Sequence, residues 1–169
     1  MEVKPVHIFP EDTLQQVEFS MVREWVAERA VSEKAIKRIL NIVPSSNRDW
    51  VLKELHRVHE FLSIYQTGNR FPAMASAPID ASLKIMRVKN AVLEAEQFMQ
   101  IKDLVYSFNR MHAFFRMQIE LLVTSRELFK AAIPNTEIPK EIERVFERNG
   151  EVKTSASPEL QTIRTQLAR

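Results

Sequence analysis

From about Val92 to Met117 the sequence carries apolar residues at a spacing that an α-helix satisfies and a strand does not. Phe98, Ile101, Leu104, Val105, Phe108, Met111 and Phe115 recur three or four residues apart and share one side of a helix. Met99, Tyr106, Ala113 and Met117 form a second line nearly opposite. A helix apolar on two sides is expected to lie between neighbours, at the centre of a core. The rest of the chain is compatible with such helices. It has only 2 Gly, and its 8 Pro gather between the periodic segments. The expected fold is all-α, an irregular helical bundle around one long central helix.

In chain order, Val3–Pro10 reads as extended, with Asp12 or Thr13 capping a first helix. A second helix starts near Ser20 with the apolar set Met21, Val22, Trp25, Val26 and Ala30. Ser32 caps a third that uses Ala35, Ile36, Ile39 and Leu40 and stops before Pro44. Ser45, Ser46 and Asn47 offer caps for a stronger helix to about Gln66. There Val51, Leu55, Val58, Leu62 and Tyr65 follow a 4-3-4-3 spacing, with Lys53, Arg57 and Glu60 on the other side. Gly68 is placed to take a left-handed cap conformation. Asp80 caps a helix through Leu83, Ile85, Met86 and Val88. The segment Gln118–Ala132 is expected to be helical through Leu121, Leu122, Leu128 and Phe129. Pro139 starts a short helix with Ile142, Val145 and Phe146, which Gly150 ends.

Several function classes are excluded or left without support. With no Cys, disulfides and thiolate metal sites are impossible, and a reducing, cytoplasmic setting is the natural expectation. The formal charge of +2 is dispersed, so a pI near 9.0 marks no basic stripe for nucleic acid. No run of about 20 apolar residues suggests a membrane span. His56 and His59 have helical spacing, but zinc needs at least a third ligand. Phe108–Met117 is rich in aromatics and Met, which suits either a core or an adaptable binding surface. The spacing favours the core and leaves Phe114 for a partner. Lys84, Arg87 and Lys89 are candidate phosphate contacts, as are Lys34, Lys37 and Arg38, although three charges in line more often form a solvated face. No glycine-rich phosphate loop and no nucleophile elbow occurs, so no catalytic, cofactor or metal residue is assigned.

The last stretch is the most informative. Ser157 is a suitable N-cap, Pro158 fits the first helical position and Glu159 faces the positive end of the helix dipole. Leu160, Ile163 and Leu167 follow as a narrow apolar seam, and no residue ends the helix before Ala168-Arg169. The expectation is a helical base over residues 1–157 and the start of a long helix over 158–169.

Gly150-Glu151-Val152-Lys153 followed by Ala156-Ser157-Pro158-Glu159-Leu160 resembles a signature of MutS-related proteins, in particular the second branch, which lacks the mismatch-reading domain. Val17-Glu18-Phe19, Phe71-Pro72 and Ile79-Asp80 with Leu83-Lys84 resemble further segments of that branch. The chain departs from it at Thr154, at Ala35 and at Lys89-Asn90-Ala91, where the branch has Asp, Gly and a Gly-rich turn. The resemblance implies the amino-terminal part of a core or lever domain, with Pro158 opening the first lever arm. It also implies a parent that binds ATP and Mg, dimerises, and grips branched or mismatched DNA; some members act on stalled ribosomes. The fragment itself would hold no cofactor. A self-contained helical adaptor for a protein partner is the competing reading.

Overall fold

A computed structural model describes residues 6–74, 77–131 and 133–167. Among them are eight α-helices, two short 3-10 turns and no strand; their β-type pairing is one isolated bridge. The fold is all-α. The chain divides into two compact units, one built from residues up to Phe71 with Phe115–Ala131, the other from Pro72–Phe114 with the residues from 133 on.

The first unit contains α1 (Thr13–Gln16), α2 (Phe19–Ala27), α3 (Glu33–Leu40) and α4 (Arg48–Gln66). Two expected caps form. The Ser32 hydroxyl accepts from the Ala35 amide at 3.2 Å, and Asn47 Oδ1 from the Trp50 amide at 3.0 Å. Each satisfies an amide that has no partner within its own helix. Arg23 on α2 donates to the carbonyls of Leu40 (2.8 Å) and Ile42 (3.1 Å), placing a cation at the end of α3, where it complements the dipole. Gly68 has φ +78° just past α4, the left-handed conformation expected of it. On α2, however, Ala27 is the buried residue, whereas Val22, Trp25 and Val26 are exposed.

The larger correction concerns α4. Its 4-3-4-3 stripe does not face the core: Leu55, Val58, Leu62 and Tyr65 are 57, 64, 52 and 70% exposed. Ile64 is fully buried instead, and Phe61 packs on Phe71 and Phe115 at centroid distances of 4.9 and 6.0 Å. The side carrying Lys53, Arg57 and Glu60 is the one that builds structure, because each finds a partner in the segment after Phe115.

That segment, expected to be helical, is not a helix. Residues 118–131 form turns around a 3-10 turn at Ser125–Leu128. The Glu60 carboxylate accepts from the amides of Thr124 (2.6 Å) and Ser125 (2.8 Å), so those donors serve a side chain across the unit. Leu122 and Ser125 are buried, and Phe129 stacks on Phe115 at 3.9 Å, while Leu121 and Leu128 stay exposed.

The second unit contains α5 (Asp80–Ile85), most of α6 (Ala95–Met117), α7 (Glu137–Val145) and α8 (Pro158–Leu167). α5 ends earlier than expected and begins at Asp80 rather than being capped by it. Asn90 takes φ +64°; asparagine tolerates that region and here does what a glycine would do. α6 is the longest helix, and its first stripe is half-buried or buried from Phe98 to Phe115. Its second line is a correction: Tyr106, Ala113 and Met117 are exposed, so α6 is not sandwiched along its length. Phe114, expected to be left for a partner, is half-buried and engaged within the molecule. α7 starts before Pro139, at Glu137, because Asn135 Oδ1 caps the Ile138 amide at 2.9 Å. Pro139 then lies buried in the first turn, where it forfeits no helical hydrogen bond.

Candidate interaction site

The segment with the most distinctive sequence, Gly150–Leu160, is a tight connection between α7 and α8. α7 ends at Val145, earlier than expected, and Phe146 turns into extended backbone opposite Val152. The amide of Glu147 donates to the Glu151 carbonyl at 2.7 Å, and that of Lys153 to the Val145 carbonyl at 2.8 Å. Gly150, φ +86°, makes the reversal, a conformation that any side chain would strain. The connection is fastened to its own unit in two places, and the end of α7 before it in a third. Phe146 packs on Phe98 at 5.3 Å, Lys153 Nζ donates to the Glu143 carbonyl at 2.6 Å, and Tyr106 donates its hydroxyl proton to the Glu143 carboxylate at 2.8 Å. That hydrogen bond, with some desolvation, raises the Tyr106 pKa.

α8 is then launched as its residues dictate. The Ser157 hydroxyl accepts from the Leu160 amide at 3.2 Å, and Pro158 is the first helical residue. The Glu159 carboxyl is held below its ordinary pKa by its own backbone N–H and then by the Ser157 hydroxyl. Arg164 reaches back to Thr154 Oγ1 at 3.1 Å. Leu160 is half-buried, and Gln161–Leu167 are exposed throughout. Ala168 and Arg169 lie outside the described residues.

The other candidates are not brought together. Lys84, Arg87 and Lys89 are all exposed, Lys84 in the last turn of α5 and the other two beyond it. His56 and His59 are exposed on α4, and no group of three potential metal ligands forms among the described residues. No described helix is long and apolar enough to cross a membrane. A shallow groove in the second unit is lined by Ala73, Met74, Asp103, Tyr106, Ser107 and Arg110. Arg110 donates there to the Ala73 carbonyl and to the Ser107 hydroxyl, each at a long 3.4 Å.

Sequence reasoning misses Glu60. Desolvation works against its charge, but the Thr124 and Ser125 amides and hydroxyls outweigh it and hold the pKa below the ordinary value. Beside it, Lys53 and Arg57 ion-pair with Glu127 of the 3-10 turn. The only signal is a line of charges at positions 53, 57 and 60, and such a line usually marks solvent.

What these elements define is an all-α assembly of helices joined by turns and short connections. The chain is 28% identical over 157 residues to the MutS2 protein of Bacillus subtilis, covering 91% of this chain and 20% of that one. It is 27% identical over 157 residues to the endonuclease MutS2 of Clostridium botulinum, covering 92% and 20%, and 25% identical over 161 residues to that of Bacillus velezensis, covering 91% and 20%. No family model matches. The chain is similar to MutS2 proteins over nine tenths of its own length, and it spans about one fifth of the length of the relatives it matches.

Proposed function

We propose that this chain is the core region of a MutS2-type protein, a helical base from which α8 rises as the first part of a lever. Its role is mechanical. The base, residues 1–157, holds the start of the lever, 158–169, and the lever carries the state of an ATPase elsewhere in the protein to a clamp on branched or mismatched DNA. ATP and Mg belong to that ATPase, which also dimerises, and the protein acts in the cytoplasm. The exposed Lys84, Arg87 and Lys89 are phosphate contacts on this reading.

The observation that carries the proposal is the asymmetry of α8. Its first turn is capped and tied to the preceding turn, while every residue from Gln161 to Leu167 is exposed, Ile163 and Leu167 included. A lever needs a fixed root and a free shaft. The test is to break the shaft: proline at the position matching Thr162, in a full-length MutS2 relative, interrupts the helix. The expected result is that basal ATP hydrolysis persists while nucleotide no longer changes DNA affinity. Unaltered nucleotide-dependent DNA binding would overturn the proposal. A second reading, a helical protein-interaction module, is favoured by the exposed stripe of α4.

A further inference from the structure

We infer, independently of the lever reading, that Asn149 is a site of spontaneous covalent modification. In the folded chain its carboxamide condenses with the Gly150 main-chain nitrogen and is converted to aspartate and isoaspartate. The chain has seven asparagines, and Asn149 is the one followed by glycine. The other six precede Ile42, Arg48, Arg70, Ala91, Arg110 and Thr136. A side chain on the following residue crowds the attacking nitrogen and narrows the backbone angles it can reach, and glycine imposes neither restriction.

The structure adds two observations at this turn. Asn149 is exposed, and beyond the chain neighbours of Gly150 no atom lies within 4 Å of where a Cβ on that glycine would stand, so the approach is unobstructed. The Glu151 amide donates to Asn149 Oδ1 at 3.0 Å. That bond polarises the carboxamide and puts a donor where negative charge collects on Oδ1 as the nitrogen attacks. The Gly150 N–H itself is bonded to the Glu147 carbonyl at 3.1 Å. This one turn bond must open first, and bonds of exposed loop tips open at little cost.

The reaction balances with water alone. The Gly150 nitrogen gives its proton to solvent base and bonds to Asn149 Cγ, the Cγ–Nδ2 bond breaks, and ammonia leaves with a proton taken back from solvent. Water then opens the resulting cyclic imide at either carbonyl. Cleavage between the nitrogen and Cγ leaves aspartate in a normal main chain. Cleavage at the main-chain carbonyl leaves isoaspartate, whose main chain runs through Cβ and Cγ. Both products add negative charge to a stretch that already carries Glu147 and Glu151. Isoaspartate also lengthens the main chain inside the loop closed by the Glu147–Glu151 and Lys153–Val145 hydrogen bonds, which loosens the connection that leads into α8.

The test is to age the folded 169-residue chain in mildly alkaline buffer and map its peptides by mass spectrometry. Asn149 is expected to convert before any other asparagine, and faster as the pH rises, because the attacking nitrogen must lose a proton. Enzymatic methylation of isoaspartyl carboxyls, with S-adenosylmethionine as donor, should label the aged chain. Asn149→Gln should lose that label, since the longer side chain closes the ring poorly. Ion exchange separates modified chains by their added charge. In the isoaspartyl form the Lys153 amide should exchange with solvent faster than in fresh chain, while Asn149→Asp, with a main chain of normal length, stays closer to it. Conversion that starts at another asparagine, an Asn149 that stays intact until the chain is denatured, or an Asn149→Gln chain that keeps the label would each overturn the site. Unchanged Lys153 exchange in the isoaspartyl form would overturn its effect on the connection.

Discussion

α4 and α6 carry the two clearest helical stripes in the sequence, and the structure uses them in opposite ways. α6 turns its stripe inward, with Met111 and Phe115 buried, and exposes the opposite line toward its end. α4 turns its stripe outward and builds with the side that looks polar. The cause lies in what else each helix offers. On α6 the stripe has no competitor, since Met99, Tyr106, Ala113 and Met117 make a sparser line. On α4 the polar side also carries Phe61 and Ile64, and its Glu60 satisfies two amides that would otherwise lie unpaired in a half-buried turn. A missed hydrogen bond of that kind costs about 1–3 kcal/mol, and with the burial of Phe61 and Ile64 it favours this side facing inward. Periodicity therefore announces both stripes and does not say which finds a partner within the chain.

The contrast can be broken by mutation, and the largest effect belongs to the aromatic cluster. Phe115→Ala removes a buried ring that stacks on Phe129 and packs on Phe61, and should cost about 3–5 kcal/mol in chemical denaturation. Leu62→Ala on the outer stripe, measured on dilute monomer, should stay within about 0.5 kcal/mol. Equal losses from the two would erase the distinction between the helices.

Glu60→Ala should come next, at about 1–3 kcal/mol, because it orphans the Thr124 and Ser125 amides. The same group predicts a pH dependence. Its folded pKa lies below the ordinary 4.5, despite desolvation, because those amides and hydroxyls favour the carboxylate. The unfolded chain therefore binds the proton more readily. The stabilisation is complete above about pH 4.5 and fades as the pH falls through the lower, folded value. Denaturation of wild type and Glu60→Gln below about pH 5 should converge. Curves that keep a constant gap down to acid would show that the carboxylate does not act through its charge.

Ser157→Ala should cost about 1 kcal/mol, the ordinary worth of an N-cap, and Ser32→Ala a similar amount. Both caps are legible in the amino-acid sequence, as are Asn47, Gly68, the long α6 and the all-α fold. These features are local: a hydroxyl three residues from the amide it serves, a glycine past a helix end, an apolar spacing. The same holds for the connection Gly150–Leu160, where a glycine, a capping serine and a proline act within a short stretch of chain. What escapes the sequence depends on residues far apart. The bonds from Glu60 to Thr124 and Ser125 join residues 64 and 65 positions apart, and they turn residues 118–131 from an expected helix into turns around a 3-10 segment. Phe146, expected to belong to α7, is drawn out of it by pairing with Val152 and packing on Phe98.

The orientation of α4 is the point on which the most rests, and thiol accessibility measures it directly, since the chain has no cysteine of its own. Val58→Cys and Ile64→Cys would be labelled under native conditions at high dilution. The account predicts that the thiol at position 58 reacts nearly as fast as in the unfolded chain and that the thiol at position 64 is protected until the unit unfolds. The reverse order, with position 58 protected and position 64 open, would contradict it and put the 4-3-4-3 stripe back in the core.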